Sequence, residues 1–148
     1  MTLEGDYEPS PSAWVRDQVA LYERTDGREG NTLLDTGLPV IIVTMRGNHS
    51  GKVRKLPVMR VEHVGSYAIV ASNGGAPTHP NWYFNLTAHP DDVRVQDGAK
   101  ILDVSVREVD GGEREEWWER AVAAYPPYAD YQRNTERTIP VFVTSGRH

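Results

Sequence analysis

Residues 72–86 read SNGGAPTHPNWYFNL. The paired glycines Gly74-Gly75 permit a sharp turn and a close approach of backbone to a ligand. Pro80 suits the start of a short helix over residues 80–88 that carries Trp82, Tyr83 and Leu86. Just before the turn, residues 67–72 alternate as a strand does, with Tyr67, Ile69 and Ala71 on one face and Ala68 and Val70 on the other. Further upstream, residues 51–60 read GKVRKLPVMR and gather Lys52, Arg54, Lys55 and Arg60. Together the two stretches describe an anion-binding edge beside a flat apolar slot, which suits a phosphate-bearing ring.

The flanking sequence supplies the other elements. Val40, Ile41, Ile42 and Val43 make residues 39–45 a β-branched run with the length of a buried strand. Arg46-Gly47-Asn48-His49-Ser50-Gly51 tolerates positive φ and joins that strand to the basic one as a hairpin. Gly65-Ser66 marks another turn, and Asp97-Gly98 links strands at 93–96 and 100–108. A helix is expected over residues 10–24, with Ser10 as cap, Pro11 in the first turn, and Trp14, Val15, Val19, Leu21 and Tyr22 at helical spacing. A second opens at Asp110, with Glu113 completing a capping box, and runs through Tyr125, burying Trp117, Trp118, Ala121, Val122 and Tyr125. Pro126-Pro127 stops it, and a helical segment at 129–135 leads to a strand at 138–144. Residues 1–9 read as a loose tail and 25–35 as a loop, so residues 10–148 form one domain. Five or six short hairpin strands with helices at the ends predict an α+β fold built on a small antiparallel barrel.

Composition narrows the function. The 148 residues balance 16 Lys and Arg against 21 Asp and Glu, a net charge of -5, so the basic cluster stands on an acidic background and nucleic acid is not the expected partner. Without cysteine there is no disulfide, thiolate nucleophile or cysteine-held metal. The five histidines, His49, His63, His79, His89 and His148, show no metal-binding spacing, and no metal is expected. No dinucleotide fingerprint is present, since Gly74-Gly75-Ala76 lacks a third glycine. Neither a secretory signal nor a membrane-spanning apolar run is visible, which makes a soluble cytoplasmic protein the expectation.

Each candidate site has a plainer reading beside it. On an alternating strand Lys52, Arg54 and Leu56 share one face and Val53 and Lys55 the other, so the cations cannot all point one way, and a charged edge strand is a common device. The Asn48-His49-Ser50-Gly51 turn favours the functional reading, because its amides and short side chains complete a phosphate cradle next to Arg54. Trp82, Tyr83 and Leu86 must pack somewhere, core included. Tyr125, Tyr128 and Tyr131, spaced by three around the two prolines, either pack with their tips at the surface or present hydroxyls to a ligand.

The order of a basic G(K)xR-type strand and then ASxGGAPxxPxWYxNL, set within residues 39–142, resembles the deazaflavin-dependent nitroreductase family, whose members use reduced coenzyme F-420. The resemblance implies a split β-barrel of the kind shared with flavin-mononucleotide-binding oxidoreductases. It implies that the region of Asn48, His49, Ser50, Lys52, Arg54 and Lys55 grips the cofactor's phosphate and poly-glutamate tail, with Leu56, Pro57, Val58 and Met59 continuing the cofactor strand. By the same resemblance Val70, Ala71, Ser72 and Asn73 flank the deazaflavin ring from one side, and Asn81, Trp82, Tyr83, Phe84 and Asn85 from the other. The resemblance further implies that Tyr125, Tyr128 and Tyr131 form a movable wall over the substrate and, with Ser72, orient it or relay a proton. Two departures stand out. Asn48-His49 replaces the Arg-Lys pair frequent in relatives, which shifts charge pairing onto Ser50, Lys52 and Arg54, and Met59 replaces an aromatic, which implies a different substrate preference. The expected activity is hydride transfer from reduced F-420 to an electron-poor quinone, activated alkene or nitroaromatic. Use of flavin mononucleotide on the same barrel and a non-catalytic carrier of cofactor or apolar ligand are the alternatives. The sequence leaves open the physiological acceptor, the oligomeric state, and whether the Trp14 helix touches a membrane.

Overall fold

The computed structural model describes residues 5–33 and 36–146. In chain order the elements are α1 (Ala13–Arg24), β1 (Val40–Arg46), β2 (Val53–Met59), β3 (Glu62–His63), β4 (Ser66–Val70), a 3-10 turn at Asn73–Gly75, α2 (Asn81–Ala88), β5 (Val93–Asp97), β6 (Lys100–Glu108), α3 (Gly111–Ala124), α4 (Pro127–Arg133) and β7 (Val141–Gly146). The strands form one antiparallel sheet in the order β2-β1-β5-β6-β7-β4-β3. The sheet curls until its ends meet. At the seam Arg60 N–H donates to Pro39 O on the β1 side (3.0 Å), while Val61 O accepts from Ala68 N–H on the β4 side (2.9 Å). The expected α+β split barrel is what forms. β3 is the strand missing from the expectation, because two residues are too few to show alternation.

Both faces of this sheet are buried. Along β1, Val40 and Ile42 join a core with Val19 and Tyr22 of α1, Trp117 and Ala121 of α3 and Tyr128 of α4. Ile41, Val43 and Met45 join a second core with Tyr67, Ile69, Val93, Val95, Val104 and Phe142. Among the described residues α2 is the one helix that enters this second core, through fully buried Leu86, which makes it the interior of the roll. Within the roll β1, β6 and β4 run one way and β5, β7 and β2 the other. The turns leaving β1 and β4, the entry to β7 and helix α2 therefore gather at one end. The opposite end is closed by Tyr67, whose hydroxyl donates to Asp97 Oδ2 (2.7 Å), and by Arg60, whose Nε donates to the same carboxylate (3.1 and 3.0 Å). Burial and then Asp97 push the Tyr67 phenol well above its ordinary pKa.

Several boundaries differ from those expected. α1 begins at Ala13 after Ser12, and Ser10 instead accepts Ser12 N–H on its Oγ (3.1 Å) and Arg16 Nη1 on its carbonyl (2.9 Å). The capping box at Asp110 does not form, because Glu113 is taken by Arg107 in a two-pronged pair (2.7 and 2.5 Å). α4 starts at Pro127, where a missing N–H costs nothing. β7 starts only at Val141, since Pro140 has no N–H for the ladder and instead offers its carbonyl to Ala71 N–H (2.9 Å). In the expected loose tail, residues 6–8 are bonded to β2, and residues 1–4 lie outside the described residues. The expected 25–35 loop likewise includes two residues, 34 and 35, outside them.

Gly75 shows how tightly the gathered end is built. At φ +81°, a Cβ there would lie 2.9 Å from both Cα and carbonyl O of Tyr131, whereas at Gly74, φ +63°, it would meet nothing within 4 Å. Both positions carry left-handed strain for an L-residue, roughly 1–2 kcal/mol, but only Gly75 adds a backbone clash. Gly75→Ala is expected to cost at least about 1 kcal/mol more than Gly74→Ala in urea unfolding. Equal losses would mean that the turn does not bear on α4.

Candidate functional site

A cleft of about 770 Å³ opens at the gathered end, between residues 8–15, the β1–β2 turn, β2 and α2. Its polar wall carries Asn48, His49, Ser50, Arg54 and Lys55, and its apolar wall Trp14, Val15, Leu56, Pro57, Trp82 and Phe84. The turn is held rigidly. Gly51 N–H returns to Gly47 O (3.0 Å), Gly47 N–H to Lys52 O (2.8 Å), and Lys52 N–H to Ser50 Oγ (3.1 Å). Arg46 pins it from behind, with Nε on Asp92 Oδ2 (2.9 Å) and Nη1 on Gly51 O (2.8 Å). Asn85, buried at the base of α2, accepts Asn48 N–H on Oδ1 (3.0 Å) and so joins helix to turn. Of the expected cradle amides, those of Asn48 and Gly51 are consumed internally. Among the described residues, the His49 and Ser50 N–H groups and the Asn85 side-chain amide N–H groups have no partner in the chain.

A second constellation lies around the glycine turn after β4. Arg137, in the loop before β7, sends Nε to Ala76 O (2.8 Å), Nη2 to Ser72 O (2.6 Å) and Nη1 to Ala71 O (3.3 Å) and His79 Nδ1 (3.0 Å). No carboxylate faces this guanidinium among the described residues, so its charge rests on carbonyl dipoles, and burial lowers its pKa. His79 stacks on Tyr83 with ring centroids 4.2 Å apart, and Tyr83 donates to Glu108 Oε1 (2.8 Å). One arginine thus ties the turn to the lead-in of α2. The tyrosines pack on the other side, with Tyr125 and Tyr131 hydroxyls 3.2 Å apart and Tyr128 buried between Trp118 and Tyr125. The bond to Tyr131, then burial, pushes Tyr125 up to about 12, and burial pushes Tyr128 higher still. Both are therefore neutral phenols at physiological pH.

The structure brings many of the sequence-derived candidates into one cleft: Asn48, His49, Ser50, Arg54, Lys55, Leu56, Pro57, Asn81, Trp82, Phe84 and Asn85. Others stand elsewhere. Lys52 is exposed just before β2, Val58 packs on the interior core, and Met59 and Val70 belong to the outer core. Ala71 is buried in the interior, while Ser72 and Asn73 form the turn clamped by Arg137. Tyr83 faces His79 and Glu108, and Tyr125, Tyr128 and Tyr131 adjoin the turn through Gly75. Arg60 lies at the far end of the roll on Asp97 and takes no part in the cleft. Glu8, Ser10, Trp14 and Val15 line the cleft without having been singled out as site residues. Arg137 was missed as well. It sits in the polar stretch 132–138 with Arg133 and Glu136, and nothing local in the sequence marks it out from them.

The cleft fits a phosphate-bearing ring: unused amides and a guanidinium at one end, an indole and aliphatic groups at the other, and a volume typical of cofactor sites. Comparison with known proteins points the same way. The pattern of the family described as F420H(2)-dependent quinone reductase matches residues 14–146. An F420H(2)-dependent quinone reductase of Mycobacterium tuberculosis is 32% identical over 131 residues, 86% of this chain and 87% of the relative. A solved F420-H2 dependent reductase is 55% identical, with a TM-score of 0.69 over 77% of this chain and 98% of its own. A solved chain described as a domain-swapped dimer is 51% identical, with a TM-score of 0.71 over 92% of this chain and 100% of its own. Among the described residues no helix is long and apolar enough to cross a membrane, and no cluster of His, Asp or Glu is arranged to hold a metal.

Arg137→Met strands the carbonyls of buried Ala71 and of half-buried Ser72 and Ala76, and a cost of roughly 2–4 kcal/mol in urea unfolding is expected, partly recovered by Arg137→Lys. A loss below about 0.5 kcal/mol would assign those carbonyls to solvent. The tyrosine pair generates a pH effect. The folded pKa of Tyr125 lies above the unfolded value of about 10, so the stability that this residue contributes is complete below that pH and lost as pH climbs toward 12. Tyr125→Phe is expected to lose stability less steeply across that window, and an unchanged slope would exclude the pair as its source.

Proposed function

Because this chain belongs to the F420H(2)-dependent quinone reductase family, we propose that it reduces quinone-type acceptors at the gathered end of its roll. The observation that carries this reading is a cleft in which the unpartnered His49 and Ser50 amides and Arg54 stand beside the apolar wall of Trp82, Leu56 and Pro57, with the hydrogen-bonded Tyr125 and Tyr131 packed near the glycine turn of the same end. When bound, the deazaflavin supplies a hydride, a two-electron donor that suits quinones. Arg54, with the His49 and Ser50 amides, receives the phosphate, since charge-assisted bonds to fixed donors orient as well as bind. Trp82, Leu56 and Pro57 would offer flat apolar contact to the ring, and the Asn85 side-chain amide would supply donors to a polar edge of it.

The protein must also handle a proton. Adding a hydride to a quinone leaves one oxygen anionic, and completing the hydroquinone takes a proton from a nearby acid. Tyr125 and Tyr131 share a hydrogen bond, so either hydroxyl can donate while the other restores its bonding, and water re-protonates the pair. Tyr128 is buried at 5% exposure and holds the wall in place. Ser72, clamped through its carbonyl by Arg137, keeps its hydroxyl for orientation. These assignments make the tyrosines acceptor-facing groups and the β1–β2 turn the cofactor anchor.

The test has two arms. Fluorescence titration is expected to show tighter binding of F-420 than of flavin mononucleotide, and the reverse order would overturn the cofactor assignment. With menadione as acceptor, the Tyr125→Phe/Tyr131→Phe double variant is expected to slow oxidation of reduced F-420 by about a hundredfold while leaving its dissociation constant nearly unchanged. Full turnover in that double variant would remove the proton-donor role. Binding of F-420 without turnover of any quinone by the wild type would make the protein a carrier.

A further inference from the structure

Residues 6–8 run beside β2 in a register set by the backbone. Val53 N–H donates to Asp6 O (2.8 Å), Glu8 N–H donates to Val53 O (2.9 Å), and Tyr7 forms a parallel bridge with Val53. The pairing aims Glu8 at the next residue of β2. Its Oε1 accepts from Arg54 Nη1 at 3.2 Å and from Ser50 Oγ at 3.5 Å, and the residue lines the cleft. Beside it the Tyr7 ring lies 5.0 Å from Lys55 Nζ, which itself holds Glu23 at 2.7 Å. The two side chains best placed to receive a phosphate therefore already carry a carboxylate.

We propose that Glu8 is a specificity-determining residue of the cleft, a resident anion that a ligand's phosphate must displace from Arg54 and Ser50. The inference rests on the reading above that these two residues receive the phosphate of F-420. Displacement is feasible because the Arg54 and Glu8 side chains are 33% and 42% exposed, and such solvent-screened pairs hold weakly. Selectivity follows from charge. At the phosphate itself a phosphodiester, as in the tail linkage of F-420, carries one negative charge, its glutamate carboxylates standing further along the tail, whereas the terminal phosphate of flavin mononucleotide carries about 1.5–2 near neutral pH. A carboxylate that stays nearby repels the monoester up to about twice as strongly at equal distance. Glu8 thus admits a singly charged phosphate and disfavours a doubly charged one. The backbone pairing of residues 6–8 keeps the carboxylate close after it has been displaced, so the discrimination persists with ligand bound.

The test measures dissociation constants for oxidised F-420 and for flavin mononucleotide, at low salt, with wild type, Glu8→Gln, Glu8→Ala, Arg54→Ala and the Glu8→Gln/Arg54→Ala double variant. Both Glu8 variants are expected to tighten F-420 by roughly threefold and the mononucleotide by more, roughly tenfold, narrowing the preference between them. Arg54→Ala is expected to weaken F-420 about tenfold or more, and in that background Glu8→Gln is expected to change F-420 binding less than about twofold, because the phosphate no longer docks beside residue 8. If Arg54→Ala weakens F-420 while both Glu8 variants leave it unchanged or weaker, Glu8 is not a competitor and the phosphate reading survives alone. If Arg54→Ala has no effect on F-420, the phosphate docks elsewhere and the inference falls with that reading. An unchanged ratio of the two ligands in the Glu8 variants would overturn the charge selectivity.

Discussion

Burial of both sheet faces is the constraint on which the arrangement of this protein depends. An antiparallel sheet that faces water on one side can place polar chemistry along its strands. Here β1 gives Val40 and Ile42 to one core and Ile41, Val43 and Met45 to the other, and β4 divides its residues in the same way. Chemistry is thereby expelled to strand ends and to the outer strand β2. Because β1, β4 and β6 run in one direction, the turn after β1, the glycine turn after β4 and Glu108 at the end of β6 arrive together. The far end receives Tyr67, Asp97 and Arg60, which satisfy one another. A single topological fact separates the end with the cleft from the closed end, and it explains why Arg54 and Arg60, so near in sequence, stand at opposite ends.

Rigidity at the functional end comes from polar groups bonding to backbone. Asn85 takes Asn48 N–H, Arg46 takes Gly51 O, and Arg137 takes three carbonyls of the glycine turn. Such anchors fix main-chain position, whereas ion pairs at a surface fix little. A guanidinium suits the last task because its planar fork of donors can reach several carbonyls at once without demanding a carboxylate. The turn is then wedged from the other side by Tyr131 against Gly75, so backbone and tyrosine wall are positioned by the same contact.

Much of this was legible in the residues. Alternation and turn chemistry located every strand longer than two residues, and the paired glycines, the proline-led helix and the basic hairpin marked most residues of the cleft. What escaped was non-local. Arg137 acts on carbonyls 61 to 66 positions away, a relation no periodicity reveals. Glu8 belongs to a polar stretch without pattern, and it matters only because β2 has an edge left open there. The capping box at Asp110 failed for a related reason. Its glutamate found a stronger partner in Arg107, on the strand just before, and a bidentate guanidinium outcompetes a single backbone amide. Arg60 was grouped with the other cations because sequence proximity carries no information about which end of a strand faces the ligand.

The charge balance of the cleft follows from the same geometry. Each cation of strand β2 is matched by a carboxylate from another element: Arg54 by Glu8 of the N-terminal segment and Lys55 by Glu23 of α1. Arg60, just past the strand, is matched by Asp97 of β5. The basic motif that stands out in the sequence is close to neutral once folded, in keeping with the acidic chain around it. A strongly positive cleft would attract any phosphate or polyanion from a distance. A neutralised one draws little at long range, and under the function proposed above it would yield its guanidinium only to a ligand that also fits the amides of His49 and Ser50 and the slot beside Trp82. Long-range attraction would then be given up for selectivity.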